Sequence, residues 1–209
     1  PSFHDFRFLS TDGKHNVFAR ECTPDGEVRA VLQIAHGVAE HIYRYAPFME
    51  FLAENGFVVV ANDHLGHGKT AENEQELCFF AEKDGWNDVV SDMDTLHKLT
   101  AAKYPGVPYF LFGHSMGSFL TRTYIIDHPE GLKGVVISGT GQNPGAVIAA
   151  GKLMAKLEMI DNGPMYHSPT LDKLAFGSYN KKYDHVRTKL DWLTRDEAVV
   201  DAYIADPLC

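Results

Sequence analysis

Ser115 is the residue of this sequence best placed to do chemistry. It lies at the centre of residues 113–117, which read Gly-His-Ser-Met-Gly. The apolar run Tyr109–Phe112 before it is typical of a buried strand, and residues 118–126 after it have the pattern of a helix. A strand, a tight turn and a helix in this order lift a serine hydroxyl above a sheet, where it can attack a carbonyl carbon. We therefore predict that Ser115 is a nucleophile.

The neighbours of Ser115 fit such a turn. The chain bends so sharply that the residues two before and two after the serine must be small, and they are Gly113 and Gly117. His114 and Met116 complete the turn, and the backbone N–H of Met116 comes where an oxyanion would form. The positive end of the following helix favours negative charge at the same point.

A second backbone donor is expected in the loop after an earlier strand. The run Val31–Ala35 leads directly into His36 and Gly37, which read as a turn. Ester cleavage by a serine of this kind needs two N–H groups that bind the negatively charged oxygen. We predict that the N–H of Val38 is the second donor, beside that of Met116.

The elements that position these residues alternate between strands and helices. A hairpin with a turn at Asp12 and Gly13 is predicted first. The predicted buried strands that follow are Ala30–Ala35, Phe57–Ala61, Tyr109–Phe112 and Gly134–Ile137. Helical patterns separate them, so we predict an α/β fold with a mostly parallel sheet and helices on both of its faces.

The strand signals stop at about residue 142. The stretch Val147–Met159 has a helical pattern. We therefore predict two regions, an α/β core over residues 1–141 and a mostly helical cap over residues 142–209.

Local signals within the second region predict further detail. Ser168 and Pro169 indicate a loop, and Thr194 with Glu197 predicts a capping box at the start of a helix. Four aromatic or apolar residues in it fit two interpretations, packing against the core or a lid that lines an acyl pocket. They are Phe176, Tyr179, Trp192 and Leu193.

Three motifs in this order carry a family resemblance. They are His36-Gly37-x-x-Glu40-His41 with Arg44-Tyr45, then Asp63-His64-x-Gly66-His67-Gly68, and then residues 113–117. Together they resemble the monoacylglycerol lipase and lysophospholipase group of the α/β-hydrolases, over about residues 5–140. The resemblance implies a serine esterase that cleaves a single-chain lipid ester through an acyl-enzyme. It implies Ser115 as nucleophile, Val38 and Met116 as oxyanion donors, and an inserted helical cap.

One part of the family pattern is not found. In this fold an acid and then a histidine follow the serine along the chain. No strand signal follows Ile137, so the last strands and the triad's acid and base are predicted to be missing. His128, His167 and His185 do not follow a predicted strand. We therefore interpret the sequence as the N-terminal part of a longer hydrolase.

Two other functions remain open at this point. A short-chain carboxylesterase or thioesterase would use the same mechanism on a smaller acyl group. A non-catalytic ligand-binding protein built on a hydrolase would explain the missing base and acid. The intact turns around Ser115 and Gly37 argue against the second of these.

The histidines near the predicted site do not form a metal motif. They are His36, His41, His64, His67 and His114, and no pair shows the spacing of a zinc-binding helix. We expect these side chains to bind backbone groups and fix loop geometry. Neither a metal nor an organic cofactor is expected.

Net charge and cysteine spacing limit the classes of partner and the compartment that we expect. A net charge of −9 over 209 residues argues against nucleic acid, and the expected partner is a small ester or lipid. The three cysteines are widely spaced and favour a reducing compartment. The sequence has neither a signal peptide nor an apolar run of transmembrane length, so we expect a cytoplasmic protein. Its oligomeric state is not predicted.

Overall fold

A six-stranded sheet organises residues 1–141, and its strands follow the short apolar runs of the sequence. The computed structural model describes all residues, 1–209. The strands are β1 (Ser2–Leu9), β2 (Asn16–Thr23), β3 (Ala30–Ala35), β4 (Phe57–Asn62), β5 (Tyr109–His114) and β6 (Leu132–Ser138). Their order across the sheet is β1-β2-β4-β3-β5-β6.

The sheet is mixed and mostly parallel, as predicted. β1 and β2 form the antiparallel hairpin, and β2 also pairs antiparallel with β4. The remaining pairs, β4 with β3, β3 with β5 and β5 with β6, are all parallel. Because parallel neighbours end at the same edge, the loops after β3, β4 and β5 meet there. All the predicted site residues lie in or beside these loops.

Three helices cover the two faces of this sheet. They are α1 (Ala46–Glu54), α2 (Gly85–Lys103) and α3 (Met116–Asp127). On one face Met49 of α1 packs in a cluster with Ile34. On the other, Met93 of α2 and Leu120 of α3 pack around Leu111. The side chains of a strand alternate between faces, so both faces of the sheet are buried under helices. The predicted α/β architecture is confirmed.

Residues Gln142–Pro207 form a second compact unit, and the first comprises Pro1–Gly141. The second unit contains α4 (Gly145–Asn162), α5 (Pro169–Phe176) and α6 (Glu197–Ala205). Its aromatic side chains pack on one another. Trp192 stacks on Phe176 with ring centroids 5.9 Å apart and meets Tyr179 edge-on at 4.8 Å.

Two local predictions in this unit are wrong. Ser168 and Pro169 do not form a loop but begin α5, where the Ser168 side chain accepts a hydrogen bond from Leu171 N at 3.0 Å. Proline is favoured at the first position of a helix, because its missing N–H has no partner there. A Ser-Pro dipeptide can therefore begin a helix as readily as it can form a loop.

The predicted capping box at Thr194 is also wrong. The residue that caps α6 is Asp196, whose carboxylate accepts a hydrogen bond from Ala198 N at 2.9 Å. Thr194 lies two residues earlier, and its Oγ1 accepts from Asp196 N at 3.2 Å. The helix begins two residues later than the motif predicted, because aspartate is itself a strong cap.

β6 lies at one edge of the sheet and pairs only with β5. Val136 of this strand is 52% exposed.

The three cysteines are free thiols. None of the helices combines the length and the apolar character that crossing a bilayer requires.

Candidate active site

Ser115 occupies a strained turn between β5 and α3. Its backbone angles are φ 53° and ψ −119°, a region that costs a non-glycine residue about 1–3 kcal/mol. Its N–H donates to Ser138 O in β6 at 2.9 Å. Its carbonyl accepts from Ser118 N at 2.9 Å and from Ser118 Oγ at 2.6 Å. These bonds hold the turn in place and leave the Ser115 hydroxyl without a hydrogen bond.

The glycines on either side of Ser115 are required by close backbone approach. A Cβ on Gly117 would overlap the carbonyl oxygen of Ala35, at the end of β3. A Cβ on Gly113 would overlap Thr121 Oγ1 and the Gly117 carbonyl. The turn therefore lies directly against the end of the neighbouring strand.

The loop after β3 meets the Ser115 turn at Gly37. A Cβ built on Gly37 would lie 3.2 Å from the Cβ of Ser115. Glu40 fixes this loop, because its Oε1 accepts from Gly37 N at 2.5 Å and from Tyr45 Oη at 2.8 Å. Sequence reasoning quoted Glu40 as part of a motif and missed this function. Its position three residues after Gly37 was the available signal.

Two backbone N–H groups near this meeting point have no intramolecular acceptor. The N–H of Gly37 is bound to Glu40, whereas those of Val38 and Met116 donate to nothing within the chain. The N–H of Met116 is also the first of α3, where the helix dipole favours negative charge. This arrangement can bind an anionic oxygen beside Ser115.

A cluster of buried histidines supports the same loops. The rings of His36 and His64 have centroids 4.1 Å apart, and that of His67 is 5.3 Å from His36. His36 Nδ1 donates to Gly37 O at 2.7 Å, and its Nε2 accepts from His64 N at 3.0 Å. His67 Nδ1 donates to Leu65 O at 2.9 Å.

The bonding of His36 requires a neutral ring, because one nitrogen donates and the other accepts. Burial and the neighbouring His64 hold the pKa of His36 well below its usual value. Burial and His67 lower the pKa of His64 to about 3. Burial also lowers the pKa of His67. All three rings are therefore uncharged at neutral pH and act as structural supports.

Asp63 ties two loops together at the end of β4. Its Oδ1 accepts from Ile42 N and its Oδ2 from Lys69 N, both at 2.8 Å. Burial raises its pKa to about 6, although both backbone hydrogen bonds oppose that shift. Asp63 leaves no space for a side chain at Gly68. Sequence reasoning did not assign this role, because Ile42 is far away along the chain.

No histidine of the chain lies in hydrogen-bond contact with the Ser115 hydroxyl. His114 points its Nδ1 towards Ser138 Oγ at 3.3 Å. The ring of His128, at the end of α3, packs at a tilt against Tyr124, and its Nδ1 lies 3.7 Å from Asp94 Oδ1. The structure thus brings together Ser115, the free N–H groups and Gly37, and it brings no base to Ser115.

Comparisons with known proteins agree with this geometry. The chain is 30% identical to a monoacylglycerol lipase of Mycolicibacterium smegmatis over 89% of its length, and 29% identical to the monoglyceride lipase of Mus musculus over 96%. It spans 58% of the length of each of these relatives. A thermostable carboxyl esterase of Bacillus coagulans, solved with glycerol, superposes on the whole chain with a TM-score of 0.87 and 32% identity. The chain covers 66% of that esterase.

The family assignment follows from the extent of the sequence match. Residues 26–209 match the family Hydrolase_4, described as serine aminopeptidase, S33. The match includes the loop at Gly37, the loop at Asp63 and the turn at Ser115. With the architecture of its sheet, this places the chain in that family of α/β-hydrolases.

Proposed function

We propose that this protein is a serine hydrolase that cleaves the carboxylic esters of single-chain lipids, as a monoacylglycerol lipase or lysophospholipase does. The observation that carries the proposal is the meeting of Ser115 with two free backbone N–H groups, those of Val38 and Met116. The names of the relatives support the substrate class. The chain spans 58% of those relatives, so the proposal concerns the activity of the whole protein.

The reaction proceeds through an acyl-enzyme. Ser115 Oγ attacks the ester carbonyl carbon as its proton passes to a general base. The carbonyl oxygen becomes negatively charged and is bound by the N–H groups of Val38 and Met116. The intermediate collapses, the glycerol alcohol leaves with the proton, and Ser115 carries the fatty acyl group. Water then attacks this ester and releases the fatty acid.

Most of the rate acceleration that we propose for these residues comes from backbone N–H groups that are held in place. Each donor is worth about a hundred- to a thousandfold in rate when it is held in place before the charge develops. Glu40 holds the Gly37 N–H, so the next peptide group is oriented in advance. The hydrogen bonds to Ser138 and Ser118 fix the Met116 side in the same way.

A base is needed in addition, because a serine hydroxyl is a poor nucleophile at neutral pH. No histidine within residues 1–209 contacts Ser115 Oγ. The oxyanion donors and binding alone leave an acceleration of about 10³ to 10⁴ over water. We propose that full activity depends on a histidine and an acid outside the contacts seen here.

The helical unit is proposed to be the cap that receives the acyl chain. Its longest helix, α4, has no buried residue and presents apolar side chains, among them Leu153, Leu157 and Ile160. Such a surface is unusual for a helix in water and suits an apolar ligand. We also propose a cytoplasmic location, because the three cysteines are unpaired thiols.

A fluorophosphonate probe, which reacts only with an activated serine, tests the mechanism. We expect the protein isolated from its natural source to gain one probe mass on the peptide that contains Ser115. A Ser115→Ala variant should gain none. The recombinant 209-residue chain should label at least about a thousandfold more slowly, for want of the base. Absence of labelling at Ser115 in the natural protein would refute the proposal.

A second candidate is a carboxylesterase for short acyl groups, which the likeness to the Bacillus coagulans carboxyl esterase favours. Nitrophenyl esters of increasing chain length separate the two. A kcat/KM that rises from acetyl to decanoyl supports the lipase. A maximum at acetyl or butyryl supports the short-chain esterase.

A further inference from the structure

A cluster of side chains of the types that can bind metals lies where the hairpin turn meets the segment after β4. The imidazole of His15 follows the turn, and its Nε2 lies 3.4 Å from Glu76 Oε2. The carboxylate of Glu72 belongs to the same cluster, with the ligand atoms of all three residues within 4.8 Å of one another. Neither the family resemblance nor the proposed reaction uses these residues.

The His15 ring is held by an acidic partner on its other nitrogen. Asp12 Oδ2 lies 2.5 Å from His15 Nδ1. The other oxygen of Asp12 accepts from Lys14 N at 2.8 Å and from His15 N at 3.0 Å, so the carboxylate is itself fixed. This Asp–His pair holds a proton on Nδ1, so Nε2, which faces Glu76, is the nitrogen that can lose its proton and bind a metal ion. Histidines that bind metals almost always carry such a partner.

Glu76 is oriented as well. Its Oε2 accepts from the backbone N–H of Glu72 at 2.8 Å, within the short turn that joins the two residues. The side chains of His15 and Glu76 are each 19% exposed, and that of Asp12 is 9% exposed. The cluster is therefore sheltered on several sides, and Glu72 is its exposed member.

One pair of ligand atoms already has the spacing that a tetrahedral ion requires. Zinc binds histidine nitrogen and carboxylate oxygen at about 2.0–2.2 Å, so two ligands on one tetrahedron are about 3.3–3.5 Å apart. The observed distance from His15 Nε2 to Glu76 Oε2 is 3.4 Å. The local charge also favours a cation, because Asp12, Glu72 and Glu76 bring three negative charges together. A divalent cation compensates for two of them.

We infer that His15, Glu72 and Glu76 form a binding site for a divalent transition-metal ion, with Zn²⁺ as the best fit, and that Asp12 orients His15 from behind. Three protein ligands leave the fourth position to water. The site is separate from the proposed ester cleavage, because none of its residues hydrogen-bonds to the Ser115 turn.

The ion joins two parts of the fold that are distant in sequence. One is the turn of the β1–β2 hairpin, and the other is the segment 72–76. That segment continues to Cys78, whose N–H donates to Gly66 O at 2.7 Å, within the loop after β4. Metal binding therefore stabilises the outer side of the loop that carries His64 and His67.

Isothermal titration of the metal-free chain with Zn²⁺ tests the site. We expect one equivalent to bind and Tm to rise by about 5 °C or more at saturation. Glu76→Gln and His15→Gln should each weaken binding at least about a hundredfold. Asp12→Asn keeps the acceptor for the backbone N–H groups and loses the partner of His15 Nδ1, so it should weaken binding about 10–100-fold.

The matched control is His4→Ala, which removes an exposed histidine of the same hairpin and should leave binding unchanged. Circular dichroism of each variant establishes that it is folded. If the folded wild type binds no Zn²⁺ at micromolar concentrations, the cluster is only an ion-pair network around a protonated His15. If Zn²⁺ binds equally to wild type and Glu76→Gln, the ion is held elsewhere. Either result overturns the inference.

Discussion

The two units of this chain place their polar and apolar groups in opposite ways. In residues 1–141 the loops after β3, β4 and β5 bury polar side chains such as His36, Asp63 and His64, each tied to or packed on its neighbours. In residues 142–207 Val200 is the one buried apolar side chain, and α4 buries none. The first unit depends on close fit, and the second presents an apolar surface.

The difference shows where the sequence is most constrained. In the first unit the backbone of one loop touches that of the next, so a single added carbon has no space. In the second unit the helices are held by caps and by a few aromatic contacts. We expect substitutions of the same type to have very different effects in the two units, and this expectation can be tested directly.

The largest contrast is expected between two glycines. Gly117→Ala places a Cβ on the carbonyl of Ala35, which cannot move without displacing β3, and should lower the free energy of unfolding by at least about 4 kcal/mol. Gly151→Ala lies within α4 with nothing near its Cβ, and should raise it by up to about 1 kcal/mol. Urea unfolding followed by circular dichroism measures both. Equal effects would remove the contrast between the units.

A pair of leucines gives the next contrast. Leu120 is fully buried between α3 and the sheet, and Leu120→Ala should cost about 2–5 kcal/mol through lost burial and the cavity left behind. Leu153 in α4 is 60% exposed, and Leu153→Ala should stay within about 0.5 kcal/mol of wild type. The same urea experiment compares them. A cost above 2 kcal/mol at Leu153 would show that α4 packs in solution.

Acid should weaken the first unit through its buried histidines. The pKa of His64 is about 3 in the folded chain and near 6.5 in the unfolded one, so its contribution to stability is present above pH 6.5 and declines as pH falls. Between pH 7.5 and pH 5 the loss is about 2 kcal/mol for this residue. His36 and His67, whose pKa values are also lowered, act in the same direction.

Asp63 partly opposes this trend. Its pKa of about 6 lies above the unfolded value of 3.8, so the folded state gains stability as pH falls from 6 towards 3.8. We still expect a net loss, because three histidines act against one carboxyl. Unfolding of wild type and His64→Leu at about pH 7.5 and pH 5 measures it, and the variant should lose about 2 kcal/mol less. An unchanged pH dependence in His64→Leu would contradict the assignment.

The smallest expected effect concerns the start of α6. Asp196→Ala removes the cap and should cost the helix about 1 kcal/mol, whereas Thr194→Ala should cost a few tenths. Amide hydrogen exchange in residues 197–205 reports this local change. A larger effect at Thr194 than at Asp196 would restore the capping box that the sequence predicted.

The core of the fold could be predicted because its signals are local. Ala30–Ala35 is apolar except for Gln33, and the observed strand β3 has the same bounds. Strand β5 extends two residues beyond its predicted end, through His114, because pairing with β6 continues up to the turn. The helix α5 was missed because Ser168 and Pro169 are equally common in loops and at helix starts.

The candidate site could likewise be predicted only where its sequence signals are local. The spacing of Gly113, Ser115 and Gly117 predicted a tight turn between a strand and a helix, and the structure has that turn. The catalytic roles of Ser115, Val38 and Met116 stay predictions. The role of Asp63 could not be predicted, because its hydrogen bond to Ile42 joins two loops that meet only in space. The role of Glu40 was missed although its partner Gly37 lies only three residues away.

The positive φ of Ser115 bears on how this protein can evolve. Glycine adopts such a conformation without strain, so Ser115→Gly should make the folded chain more stable even as it removes the hydroxyl. Random mutation in a lineage with no use for the reaction would therefore meet a stabilising substitution at this codon. Selection for the hydroxyl has to act continually against that gain. A serine retained here among natural variants would record that the chemistry is still in use.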